Sequence, residues 1–321
     1  MNLGSLPLNG LPGAARRPQQ HEKWQRQCES WRQLLGECGR KPSRRRVHTL
    51  RVATLRLQAE LEYCLDQHRP AAPAERAVKR WNKQGDKLRR ALQPVREADV
   101  YLAKLAGLRA SLAAPEELQA RCSRRCLGQV GKLESRLRQM RQAAAKKLMV
   151  EIEDRRERLI RLSHEMEEAL ALQMPPGSGA EPLAGLIASL AVEFPELGAD
   201  RLHEFRKRVK KVRYLADLSA DADPQVARQS VALRQMQAAV GEWHDWQVLA
   251  QKAGRGKGNS LTELLETLTA ESLQKALSVC RRLTARLARH GHGNGASSPA
   301  PQKLPVRRVE PFVAAAERDC A

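Results

Sequence analysis

Two stretches of this chain repeat one design about 155 residues apart: residues 47–57 read VHTLRVATLRL and residues 202–218 read LHEFRKRVKKVRYLADL. In each, a histidine stands one helical turn before an arginine, His48 with Arg51 and His203 with Arg206, and apolar and basic residues continue in register. An internal duplication predicts a fold of two related halves that each contribute the same element. The reused element is a cationic helix face, so the chain reads as a receptor for a long, densely charged anion.

The rest of the pattern is helical, with breaks at Pro and Gly and few β-branched runs. Helices are expected over 21–37, 43–67 (Ser43 as N-cap), 74–92, 94–113 (opening at Pro94) and 115–172, the last with a bend near Gly128–Gly131. The loop MPPGSGAEP over 174–182 is the clearest internal boundary, and helices follow over 183–193, 199–219, 225–253 and 260–290. Residues 1–20 and 291–321 read as flexible tails, which leaves a helical region over 21–290 with halves of about 21–173 and 182–290. The expected class is all-α: two pseudo-symmetric helical bundles packed around a basic groove or pore.

Composition sharpens the functional reading. The chain has 57 Lys and Arg against 36 Asp and Glu, a net charge of +21, and a hydrophobic fraction of 42%, enough for a buried core. Such a charge attracts polyanions before any specific contact forms. The seven cysteines lack metal-type spacing and suit a reducing cytosol. No apolar run approaches the roughly 18 residues of a membrane span, and the N-terminus lacks the order of a secretory signal, so a cytoplasmic protein is expected.

Projected at helical pitch, Leu202, Phe205, Val209, Val212 and Ala216 gather on one side of the second motif, while His203, Arg206, Lys207, Lys210 and Tyr214 gather on the other, with Arg213 at the edge. In the first motif Leu50, Ala53, Leu57 and Leu61 form the core stripe; Arg44, His48 and Arg51 lie opposite, with Arg56 on a flank. A third basic stripe, Arg76, Lys79, Lys83, Lys87 and Arg90, recurs at i, i+3 or i+4 opposite Val78, Trp81, Leu88 and Leu92. Like charges at i, i+4 destabilise an isolated helix, so the stripe suggests neutralisation by an external anion. A solvated helix face is the plainer explanation of that third stripe, whereas the duplicated histidine motifs favour function.

At these residues the sequence resembles the CHAD family, the conserved histidine α-helical domain, over about residues 21–290. Each half carries a His followed three positions later by Arg, then a turn-like motif leading into an apolar run: Arg96-Glu97-Ala98-Asp99-Val100 in the first half and Gly241-Glu242-Trp243-His244-Asp245 in the second. Leu55 and Gln58 stand where the family usually has Arg, Glu97 where Asp is usual and Gln93 where Gly is usual, which thins the first copy. The resemblance implies two bundles facing across a basic groove, binding of inorganic polyphosphate, and association with polyphosphate granules in bacteria. The polyphosphate ligands expected are Arg44, His48, Arg51, Arg56, Lys79, Lys83, Lys87 and Arg90 in the first half. In the second half they are His203, Arg206, Lys207, Lys210, Arg213 and Tyr214.

Two rival readings stand beside this one. A nucleic-acid binder would need stacking platforms, and an aromatic content of 3% leaves few, so only weak, charge-driven attraction to nucleic acid is expected. An accessory part of a phosphoanhydride hydrolase is the other. The nearest string to a metal-holding Glu-x-Glu-x-Lys strand, Glu151-Ile152-Glu153-Asp154-Arg155, falls in a helical run where i and i+2 side chains diverge. There is no P-loop, nucleophile elbow or zinc-protease motif. Asp99 and Asp245 read as groups that cap helices or fix basic side chains. No catalysis, cofactor or metal is expected.

Overall fold

The computed structural model describes residues 16–68, 71–113, 124–171, 183, 185–187, 189–190, 201–219, 224–254 and 260–291. These form α1 (Arg16–Arg40), α2 (Arg44–His68), α3 (Ala72–Ala113), α4 (Arg124–Ala171), α5 (Leu202–Ser219), α6 (Pro224–Ala253) and α7 (Ser260–Gly291). No strand occurs among the described residues, and the all-α class holds. The boundary loop at 174–182 and most of both tails lie outside the described residues, although α1 begins at Arg16, earlier than the expected 21.

Ser43 caps α2 as its sequence position suggests. Its carbonyl accepts from Val47 N at 2.9 Å and its Oγ from Arg46 N at 3.3 Å. Pro94, by contrast, opens no helix: α3 runs unbroken through it. An interior proline removes one backbone bond and crowds the preceding turn, at a cost of about 3 kcal/mol. The core stripe Leu88, Leu92, Val95 and Ala98 passes the proline without interruption, each 5% exposed or less. Burial of a large apolar side chain contributes about 1.5–3 kcal/mol, so Leu88, Leu92 and Val95 together outweigh the proline. Both motifs read as turns, at 96–100 and 241–245, are likewise helical, inside α3 and α6. Gly128 and Gly131 lie within the first turns of α4 as helical residues.

The apolar residues sort into three clusters. One joins α1, α2, the first half of α3 and the second half of α4, around Trp31 and Trp81, whose rings meet edge-on at 5.5 Å between centroids. Trp31 Nε1 donates to Thr54 Oγ1 at 2.9 Å, so this buried indole is satisfied. A second joins α5, α6 and α7 with Leu183, Ile187 and Leu190. A third lies where the end of α3, the start of α4, the end of α6 and the start of α7 come together, around Leu105, Leu137, Leu249 and Leu265. Ala59 of α2 is buried in the second cluster, with Val52, Leu55 and Tyr63 packed against it. The two histidine-bearing helices α2 and α5 therefore pack on each other.

That contact explains one departure from the wheel and one from the family pattern. Tyr214, projected outward, is 3% exposed, because α2 covers that side of α5. Leu55 stands against the second apolar cluster rather than in a cationic face. Gln58 is buried as a clasp between α2 and α3, with its Nε2 donating to Asn82 O at 3.1 Å and to Asp86 Oδ1 at 2.9 Å.

Candidate functional site

The packing of α2 on α5 brings cations from three helices together. Arg51 of α2 donates through Nη1 to the Arg89 carbonyl of α3 at 3.1 Å, and lies within electrostatic reach of Arg89, Arg206 and Arg96. Lys210 of α5 sits among Arg51, Arg206, Arg89 and Arg213. His48 is repelled by Arg96, Arg44, Arg51 and Lys210. Beneath them Arg213 stacks on Tyr214, its guanidinium carbon 4.2 Å from the ring centroid, and Lys210 Nζ lies 5.9 Å from the same centroid. Arg213 is itself tied down, donating to Gln237 Oε1 at 2.7 Å and to Asp217 Oδ2 at 2.6 Å.

Crowding of like charge leaves its mark on proton affinities. Burial, then Arg51, Arg206, Arg89 and Arg213, pushes the Lys210 ammonium down to about 7. Burial and Arg89 lower Arg51 to about 10. Burial, then Arg206 and His203, lowers His244 to about 4, against a hydrogen bond with Gln247 that raises it. His48 and His203 are lowered too, by burial first and neighbouring cations second. At neutral pH these imidazoles are neutral and offer one N–H each. The rings of His203 and His244 stand 5.3 Å apart. Arg206 Nε and His244 Nδ1 are buried without a hydrogen-bond partner, which is costly unless something supplies one.

The repeated motifs meet across the contact. Arg96, from the first copy, and Asp245, from the second, act on each other, and Lys104 and Arg206 also attract Asp245. Burial raises Asp245 while these three cations hold it back. Asp99, the counterpart of Asp245, accepts from Arg141 Nε at 2.7 Å, and Arg141 Nη2 donates on to Pro42 O at 3.0 Å. Both aspartates thus face basic side chains. Glu151 and Glu153, the other acids weighed in the sequence, are helical and point to different cations: Glu151 to Lys147 and Arg155, Glu153 to Arg156. Among the described residues no group of three His, Cys, Asp or Glu could hold a metal ion, and no helix is long and apolar enough to cross a membrane.

Of the residues singled out in the sequence, Arg44, His48 and Arg51 of α2 converge with Arg206 and Lys210 of α5, and His203 joins them beside Arg206. Arg213 and Tyr214 lie underneath as buried support. Arg56 sits at the margin, 3.9 Å from Asp217. Lys207 faces solvent and pairs with Glu204 at 2.8 Å. Lys79 pairs with Glu75, and Lys83, Lys87 and Arg90 line hollows between α3 and α4. At about 100° per residue, Lys83 and Lys87 lie some 120–160° round α3 from Arg89. They belong to another surface.

Sequence reasoning passed over Arg89 and Lys104, and did not count Arg96 and His244 as anion ligands. For Arg96 and His244 the signal was available, since both lie inside the repeated motifs. Arg89 had none, because its membership depends on how α2 crosses α3. Residues 18–254 match the CHAD domain. No curated protein and no solved structure matches the chain. With most of the chain inside that match, the protein belongs to the CHAD domain family.

Proposed function

We propose that the protein binds inorganic polyphosphate without transforming it, in a basic groove between two pseudo-symmetric helical halves. The observation that carries this reading is the convergence of Arg51, Arg89, Arg206 and Lys210 from three helices, with acid beside only two of them, Asp86 paired with Arg89 and Asp245 near Arg206. Such a cluster stores repulsion that an anion relieves, and the buried Arg206 Nε is a donor without an acceptor beside it. Arginine offers planar forks to phosphate, and lysine a mobile point charge. A polymer with a charge on each phosphate and no bases suits a cluster built from cations and neutral imidazoles. The membership of the CHAD family supports the same ligand. Retention at polyphosphate granules in the cytoplasm follows as the cellular consequence of such binding.

The absence of catalysis is part of this proposal; Asp99 accepts from Arg141 through Oδ1 and Asp245 lies within electrostatic reach of Lys104, Arg206 and Arg96, which suits a role in fixing basic side chains. Salt-dependent binding tests the electrostatic core of the reading. With six to eight contacts at about 0.7 counterion each, the log–log salt slope should be about −4 to −6. Combined Arg51→Ala, Arg206→Ala and Lys210→Ala substitution should weaken binding at least a hundredfold with helicity retained. A flat salt response, preference for single-stranded DNA over polyphosphate, or phosphate release with Mg²⁺ would each count against it.

A further inference from the structure

A second cationic surface lies along the seam between α3 and α4. Arg80, Lys83, Lys87 and Arg90 line it from α3. Lys147, Arg155, Arg158 and Arg161 line it from α4. Two hollows make up this surface, and Lys87 borders both, so they run on from one another. From Arg80 to Arg90 the helix rises about 15 Å. The floor is formed by Gln84, Leu162, Ala91, Pro94 and Leu148, with no aromatic ring among the lining residues.

Only two carboxylates border the seam, Glu165 and Glu151, and both are occupied. Glu165 pairs with Arg80 at 3.0 Å and Arg161 at 3.9 Å, and Glu151 with Arg155 at 3.5 Å and Lys147 at 3.9 Å. Lys83, Lys87, Arg90 and Arg158 make no ion pair among the described residues. Lys83, Arg90 and Arg158 are exposed and Lys87 is half-buried over the hollow. Surplus charge of one sign, arranged in a line along a shallow channel, fits an extended polyanion better than a compact one. The lack of aromatic platforms favours a phosphate chain over a single-stranded nucleic acid.

We infer that the α3–α4 seam is a second track for a phosphate polymer, separate from the central cluster and able to hold the same strand as it leaves the groove. The inference rests on the polyphosphate reading above. A strand that reaches both tracks binds the second intramolecularly, so long chains gain affinity without new contacts at the first.

Calorimetric titration with tripolyphosphate and with long-chain polyphosphate separates the two sites. The seam variant is Lys83→Gln, Lys87→Gln and Arg90→Gln, and the central variant is Arg51→Ala with Arg206→Ala, each checked for helicity by circular dichroism. The unaltered protein should bind tripolyphosphate in two classes, and each variant should lose one of them. With the long polymer, the seam variant should bind at least tenfold more weakly than the unaltered protein. Unchanged stoichiometry and affinity in the seam variant, with binding abolished in the central variant, would overturn the second track and leave the central reading standing. Loss in the seam variant with none in the central variant would support the seam and overturn the central reading. Single-stranded DNA displacing the polymer from the seam at equal charge would overturn its assigned ligand class.

Discussion

Arg206 of α5 lies over Gly241 of α6: its Nε is 4.0 Å from where a Cβ at position 241 would stand. The glycine that opens the second repeated motif therefore leaves the space in which a central cation rests. Gly241→Ala should be tolerated, since 4.0 Å is ordinary contact, and should stabilise α6 by up to about 1 kcal/mol. Gly241→Leu should displace Arg206 and weaken polyphosphate binding about tenfold while thermal stability changes little. Parallel binding and melting curves check this, and equal affinity in the Leu variant would show that Arg206 makes no contact with the anion.

Lys210 links binding to protons. Its ammonium is pushed from 10.5 to about 7, by burial first and then by Arg51, Arg206, Arg89 and Arg213. The folded chain therefore holds fewer protons than the unfolded chain between about pH 7 and 10.5, so this group adds stability as pH rises through that window and imposes its full penalty below about 7. An anion beside Lys210 raises its proton affinity again. Polyphosphate binding at pH 8 should thus take up protons, seen as a heat that varies with the ionisation enthalpy of the buffer, and Lys210→Met should abolish most of that uptake. Buffer-independent heats in the unaltered protein would contradict the assignment.

The helical class and the core stripes were legible because apolar spacing reports directly on burial. Leu50, Leu57 and Leu61 in α2, and Leu202, Phe205 and Val209 in α5, are all buried as projected. The convergence of the duplicated motifs was legible only as an expectation of symmetry. Which cations join the cluster depended on tertiary facts that no wheel contains. Arg89 enters because α2 crosses α3 at Arg51, whereas Lys87, two residues earlier, faces the α4 seam. Tyr214 is lost to solvent because α2 covers it. Pro94 misled because local chain preference was outweighed by the core stripe that runs past it.

Asp217 anchors the support beneath the cluster. It accepts from Arg213 at 2.6 Å and Arg234 at 2.9 Å, and from Ser230 Oγ. Side-chain exposures of 10% for Arg213 and 11% for Asp217 mark the pair as buried. Removing one partner of a buried pair leaves an uncompensated charge, at a cost of about 3–5 kcal/mol. Asp217→Ala should therefore lower stability by that amount in urea unfolding and loosen the Arg213–Tyr214 stack below Lys210. Polyphosphate should restore much of the loss by neutralising the freed guanidinium. A loss under about 1 kcal/mol would mean that the arginine finds solvent instead.

Gln58 shows why an added cation is not always an added ligand. The family resemblance implies arginine at this position, yet Gln58 is 6% exposed and its amide donates to Asn82 O and Asp86 Oδ1. A Cβ at Gly85 would stand 3.1 Å from its Nε2, so α3 approaches closely and leaves no room for a longer side chain. Gln58→Arg should overpack this contact at about 1–3 kcal/mol. For a helical region of this size that lowers the melting temperature by roughly 2–4 °C per kcal/mol. Affinity for polyphosphate should stay level or fall, because the new guanidinium would be held by Asp86 on the α2–α3 contact. An unchanged melting temperature together with tighter binding would place position 58 in the groove and redraw its boundary along α2.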